Sequence, residues 1–294
     1  MNLNQFPLWT AVVTPFHPDL KIDFVSFEKL LLEQEEAKNG VVILGSTGEN
    51  LSFSDEEKIE IVNFVCDLEL SIPIMVGIPG FYAPGAVKWL KHLNQMPVHA
   101  YLMVTPIYAK PNDLGQYEWF KELLDTATRP SMLYNVPSRS GIKLSVEAMK
   151  KLLGHKNFWA IKEASGSVDE FSNYKKNLPG ISMYCGDDGL MPEFAKAGAV
   201  GLVSVASNAW AKETHLYTEL CLKGTLKEDK MWKEAADSLF LCSNPVPVKG
   251  LMHTRGMIET PKSRPPLNSQ DLKELPIILK HNQNITEWGQ NAKL

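Results

Sequence analysis

The sequence predicts an α/β fold: a closed (β/α)8 TIM barrel with a C-terminal helical extension. Three observations lead there. Short apolar runs alternate eight times with amphipathic segments between residues 9 and 223. The runs are almost continuously apolar, as strands covered on both faces are, and that marks a parallel sheet. The connecting turns are short, and eight such units in a chain of this length suit a closed barrel. A doubly wound open sheet is the competing arrangement, but no glycine-rich nucleotide turn follows the first strand.

The elements follow in order. Residues 9–16 are a first apolar strand, stopped by Pro15 and Pro18. Residues 23–38 place Phe24, Phe27, Leu30 and Leu31 at helical spacing, and Asn39-Gly40 closes that helix as a left-handed cap. Residues 41–44 are the second strand. Ser54 opens the next helix, with Glu57 three residues on, the pattern of a capping box. Further strands fall at 73–77, 99–104, 131–135, 158–162, 182–185 and 201–205. The helices between and after them fall at 84–94, 114–126, 145–153, 168–177 and 190–197. Residues 1–224 are expected to form the barrel domain and 225–294 a helical appendage. Within the appendage, Asn244-Pro-Val-Pro-Val-Lys249 and Arg264-Pro-Pro266 read as rigid breaks.

Composition narrows the function. Hydrophobic residues make up 44% of the 294 positions and charged residues 22%, with a formal net charge of −4. That is an ordinary globular balance, and no Lys/Arg cluster offers a nucleic-acid face. No apolar run approaches the roughly 20 residues of a membrane span. Residues 1–7 lack the basic start and apolar core of a signal peptide. Cys66, Cys185, Cys221 and Cys242 are widely spaced and form no ligand pattern, so reduced thiols in a cytoplasmic protein are expected.

In barrels of this kind the working face lies at the C-terminal ends of the strands. Lys162 sits there, at the end of the run Phe158-Trp-Ala-Ile-Lys162. Desolvation favours a neutral amine, and a neutral amine can condense with a carbonyl to form a Schiff base. After the second strand comes Gly45-Ser-Thr-Gly-Glu49, whose hydroxyls Ser46 and Thr47 and free amides suit a carboxylate. After the fourth comes Tyr108, and after the fifth Tyr134-Asn-Val-Pro-Ser-Arg-Ser-Gly141. Singly, Tyr134 reads as a core aromatic and Arg139 as a surface residue. Together with Lys162 they describe an amine nucleophile, a phenolic acid/base and a second anion site, a set that suits a keto-acid substrate. Gly186, after the seventh strand, and Val203, in the eighth, are expected to line the substrate site.

The motifs Gly45-Ser-Thr-Gly-Glu49, Tyr134-Asn-Val-Pro137 and Ile161-Lys-Glu-Ala164 resemble those of the dihydrodipicolinate synthase / N-acetylneuraminate lyase family. Gly186-Asp-Asp188 and Asn244-Pro-Val-Pro-Val-Lys249 fit it too, in the right order along nearly the whole chain. The resemblance implies a class I aldolase-type barrel with pyruvate held on Lys162 as a Schiff base. It implies Tyr134 as acid/base, with Ser46 and Tyr108 completing a proton relay, Tyr108 reaching in from a neighbouring subunit of a homotetramer. It implies no metal or organic cofactor. Arg139 is similar to the arginine that the synthase branch uses for aspartate semialdehyde, which points to lysine and diaminopimelate biosynthesis. The Ser46-Thr47 pair is the form usual in the lyase branch, and Gly77-Ile-Pro-Gly80 departs from the synthase pattern, so a sugar-acid aldolase is the alternative. Some synthases of the family bind lysine as an inhibitor. Tyr82, Ala86, Asp55, Lys58 and Ile107 are aligned here with the positions that hold it, and their chemistry predicts insensitivity.

Overall fold

The computed structural model describes residues 1–292. Eight parallel strands close into a barrel in sequence order. They are β1 (Leu8–Ala11), β2 (Gly40–Ile43), β3 (Ile74–Ile78), β4 (Ala100–Val104), β5 (Ser131–Asn135), β6 (Phe158–Glu163), β7 (Ser182–Cys185) and β8 (Gly201–Ser204). β8 pairs back onto β1 and leaves no open edge. Nine helices are interleaved with the strands: α1 (Phe24–Glu36), α2 (Asp55–Asp67), α3 (Ala83–Leu93), α4 (Asp113–Thr126), α5 (Pro137–Ser140), α6 (Val146–Lys150), α7 (Val168–Asn177), α8 (Met191–Lys196) and α9 (Ala211–Lys223). Then follow α10 (Asp229–Ser238), α11 (Val246–Thr254) and α12 (Leu275–Asn291).

Every strand residue has one of two destinations, because side chains alternate across a strand. Trp9, Val42, Met75, Met132, Ala160 and Tyr184 pack together inside the barrel. Their neighbours Leu8, Val41, Leu133, Ile161 and Met183 pack outward against the helices. This parity fixes the working face. Since Ala160 points in and Ile161 out, Lys162 points in and Glu163 out.

Two local expectations change. The turn after α1 takes its positive φ at Lys38 (59°), not at Gly40. Gly40 instead begins β2, where a β-carbon would come within 2.6 Å of the Trp9 indole. The glycine serves the barrel interior rather than the helix end. The first strand stops at Ala11 rather than running to Phe16, because a side chain takes over its pairing. Asn208, just after β8, accepts from the Val13 N–H at 2.9 Å and donates to the Ala11 carbonyl at 2.8 Å.

The capping box forms as expected. Ser54 Oγ accepts from the Glu57 N–H, and the Glu57 carboxylate accepts from the Ser54 N–H. Asn244-Pro-Val-Pro-Val-Lys249 is not a break between helices. It opens α11, with Pro247 in the first turn, where a missing N–H is harmless. Lys249 therefore sits inside a helix and is fully buried.

Candidate active site

β6 ends by delivering Lys162 to the barrel mouth, 4% exposed. β5 runs beside it in a register that pairs Tyr134 with Lys162. The two inward side chains meet, with the Lys162 ammonium 4.4 Å from the Tyr134 ring centroid. Room for the lysine stem comes from Gly186, where a β-carbon would lie 2.8 Å from Lys162 Cε. Gly186 thus acts by clearance, something its sequence position alone did not reveal. Asp187, next in the chain, accepts from the Gly166 N–H. Burial pushes its carboxyl up to about 6, against the pull of the Lys162 charge. Val203 is fully buried inside the barrel, paired in register with Trp9.

A cavity of about 430 Å³ opens over this mouth, and Ser46, Tyr134, Arg139, Asn244 and Arg264 are among its lining. The hydroxyl pair of the β2 turn is split. Ser46 is exposed to the cavity, whereas Thr47 is buried and its Oγ1 accepts from Asn244 Nδ2 at 2.9 Å.

The two arginines of the wall differ in their free donors. A guanidinium has five N–H groups. Arg264 uses Nε on the Leu20 carbonyl, Nη1 on the Ser52 carbonyl and Glu57, and Nη2 on Leu20 and Glu57. That fork holds the Glu57 carboxyl below its ordinary range. Arg139, exposed on α5, makes one bond, Nη2 to the Asn244 carbonyl at 3.3 Å. Among the described residues, Arg139 is the arginine of this cavity with donors left for a ligand anion.

Tyr108 is not brought to the cavity of its own chain. It is 95% exposed, with a φ of 68°, on a loop joined to the β3 turn by the bond from Ile107 N–H to the Gly80 carbonyl. Ala86, aligned from sequence with an effector-binding position, is fully buried in α3 and faces the core.

Sequence reading missed Asn244 and Arg264 as parts of the wall. The signal for Asn244 was its place in Asn244-Pro-Val-Pro-Val-Lys249, which the sequence reading took as a break. Arg264 gave none, since its partners lie more than 200 residues away in the chain.

Glu163, outward on β6, is fully buried. Its Oε1 accepts from Asn135 Nδ2 at 2.7 Å and from the Ser165 N–H at 3.0 Å, while Oε2 has no partner among the described residues. Burial pushes its carboxyl up to about 7. The folded value lies above the unfolded one, so the stability it confers is complete below about pH 4 and is lost as pH rises through about 7. That amounts to at most about 3 kcal/mol, at about 1.4 kcal/mol per pH unit. Glu163→Gln has no proton to lose, so its urea midpoint should fall less than the parent's between pH 5 and 8. Parallel pH trends in the two proteins would contradict this.

The sequence model of the dihydrodipicolinate synthetase family matches residues 6–282. The chain belongs to this family. A curated member from Wolbachia pipientis, named 4-hydroxy-tetrahydrodipicolinate synthase, is 46% identical over 284 residues, 96% of this chain and 97% of the relative. The solved 4-hydroxy-tetrahydrodipicolinate synthase of Methylacidiphilum fumariolicum superposes with a TM-score of 0.90 at 33% identity, covering 97% of this chain and 98% of that one. The dihydrodipicolinate synthase of Acinetobacter baumannii, solved in complex with pyruvate, gives a TM-score of 0.85 at 29% identity, covering 98% and 99%. The barrel and the helices beyond it are thus those of the family.

Proposed function

We propose that this protein is a 4-hydroxy-tetrahydrodipicolinate synthase, which condenses pyruvate with L-aspartate 4-semialdehyde through a Schiff base on Lys162. The observation that carries this reading is the contact of Lys162 with Tyr134, which in turn lines a cavity whose wall holds an under-used arginine. The names of the relatives and the pyruvate complex of one of them support it.

The chemistry follows from the groups present. The Lys162 amine adds to the keto carbon of pyruvate, and the carbinolamine loses water to give the imine. Each proton transfer needs an acid or base within reach, and this reading assigns that role to the Tyr134 phenol. Loss of a methyl proton gives the enamine, whose carbon attacks the aldehyde of the second substrate. The amine of that substrate then displaces Lys162 as the product cyclises. The lysine itself is the electron sink, so the steps call on no cofactor. Ser46, exposed in the cavity, extends the relay and meets the pyruvate carboxylate, and Thr47 steadies that turn through Asn244.

Tyr108 would complete the relay in a partner's cavity, within a homotetramer or homodimer. Phe81 (63% exposed), Tyr82 (60%) and Tyr108 supply aromatic surface near the cavity rim for such a contact. Lysine and diaminopimelate biosynthesis in the cytoplasm is the setting this reading implies. Among the described residues no helix is long and apolar enough to cross a membrane.

Arg139 separates the substrates. Its planar fork suits the carboxylate of aspartate semialdehyde. Arg139→Ala should lower kcat/KM for that substrate by about 30- to 1,000-fold, the range of a lost charge-assisted contact. Pyruvate should still be trapped by borohydride. A coupled assay comparing aspartate semialdehyde, N-acetylneuraminate and 2-keto-3-deoxygluconate tests the reading itself. Turnover of a sugar acid in preference to aspartate semialdehyde would replace the synthase with an aldolase.

A further inference from the structure

The turn that presents Ser46 and Thr47 is anchored by a buried ion pair that lies outside the reaction chemistry. Glu49, its last residue, holds a left-handed backbone, φ 58° and ψ 35°. Its side chain is 2% exposed, and that of Lys249, from α11, is wholly buried. Lys249 Nζ donates to Glu49 Oε1 at 2.5 Å and to the Lys262 carbonyl at 3.1 Å, and it lies 4.2 Å from the Phe16 ring centroid. Glu49 Oε2 accepts from the Arg264 N–H at 2.9 Å. Both carboxylate oxygens are therefore occupied by the C-terminal segment.

What is fixed at Glu49 is fixed for the whole turn. The Glu49 N–H donates to the Ser46 carbonyl at 3.2 Å, and the Asn50 N–H to the Gly45 carbonyl at 3.3 Å. Thr14 Oγ1 ties the Gly48 carbonyl at 2.9 Å. A left-handed backbone at a non-glycine residue persists only where its surroundings over-determine it. Here the surroundings are an ammonium and an amide from the opposite end of the chain. A buried ion pair is weak as a source of stability, since desolvation offsets its attraction and apolar replacements are often as stable. Specifying one geometry is a better-supported use for it.

We propose that the Glu49–Lys249 pair is a positioning device: it sets the Ser46–Thr47 turn relative to Lys162, and thereby how tightly the keto-acid carboxylate is held. The inference rests on the pyruvate reading above. Glu49 borders the cavity, but both its carboxylate oxygens are taken by Lys249 and the Arg264 N–H, so the pair governs pyruvate affinity and leaves the chemical step to Lys162 and Tyr134.

The test is a split between KM and kcat. The double variant Glu49→Gln with Lys249→Met removes both charges and keeps an oxygen for the Arg264 N–H. It avoids the lone buried carboxylate that Lys249→Met alone would leave. It should melt close to the parent, yet show a pyruvate KM raised about tenfold, a factor worth about 1.4 kcal/mol. Its kcat at saturating pyruvate and its KM for aspartate semialdehyde should stay within about twofold of the parent. Glu49→Gln alone, nearly isosteric, should move the pyruvate KM in the same direction by less. Lys249→Arg, which keeps the charge, should recover part of the loss. A parent-like pyruvate KM in the folded double variant overturns the proposal. So does a parallel collapse of kcat, both KM values and melting temperature across the set, which would make the pair a structural support only. If the parent protein itself forms no borohydride-stable pyruvate adduct, the functional reading fails and this inference with it. An adduct on the parent with an unchanged KM in the variants sinks the inference alone.

Discussion

Lys162→Ala should abolish borohydride-dependent capture of pyruvate and reduce synthase turnover to background, while the barrel stays folded. In the proposed reaction this amine forms the covalent bond to pyruvate. The other fully buried lysine, Lys249, is bonded to Glu49 and to the Lys262 carbonyl, so its amine is occupied. Folding should survive because the side chain belongs to the mouth rather than to the packed interior. Its methylene stem lies against Gly186, and its nitrogen pairs with no carboxylate within 4.0 Å among the described residues. Removing it leaves a recess beside the cavity, which water can enter, rather than a sealed void in the core. Intact-mass and peptide mapping after reduction give the result directly. Pyruvate still captured in Lys162→Ala, at Lys249 or any other lysine, would remove Lys162 from its assigned role.

Much of this arrangement was legible in the sequence because it depends on local pattern. The strand runs and their spacing set the barrel, and strand ends mark the working face. The parity that turns Lys162 inward was not legible in the same way. In a run such as Phe158-Trp-Ala-Ile-Lys162 both faces are apolar, so periodicity cannot say which residue points where. Only the packing decides it: Ala160 joins the interior cluster with Trp9 and Tyr184, and Ile161 joins the cluster under the helices.

What stayed hidden was what depends on distant partners. Thr47 and Ser46 look equivalent as neighbours in a turn, yet Asn244 claims one hydroxyl and leaves the other free. Arg264 and Arg139 look equivalent as arginines, yet five bonds saturate the first. Lys249 read as part of a proline-rich break, because nothing nearby discloses that its partner is Glu49, 200 residues earlier. The C-terminal segment thus carries more of the cavity wall than its helical, charged composition suggests.

Tyr134→Phe should leave the site assembled and slow the formation of the imine itself. Tyr134 is 7% exposed, and its ring packs with the interior cluster while facing the Lys162 ammonium. Phenylalanine keeps that packing and the ring face, so the melting temperature should change little. The bond that Tyr134 accepts from the Thr105 hydroxyl goes to its backbone carbonyl, which phenylalanine keeps. What disappears is a proton donor and acceptor at the amine. Imine formation needs a proton delivered to the departing hydroxyl of the carbinolamine and others moved between nitrogen and oxygen. A positioned acid/base at such a step contributes about 10²- to 10⁴-fold. Time-resolved borohydride quenching, with pyruvate as the only substrate, isolates this step from the later attack on the aldehyde. The rate of adduct appearance should fall within that range, while the final yield at long times approaches that of the parent, because the nucleophile is intact. An unchanged rate would leave Tyr134 as packing alone. Loss of the final yield as well would mean that the ring contact with Lys162, rather than the hydroxyl, is what the reaction requires.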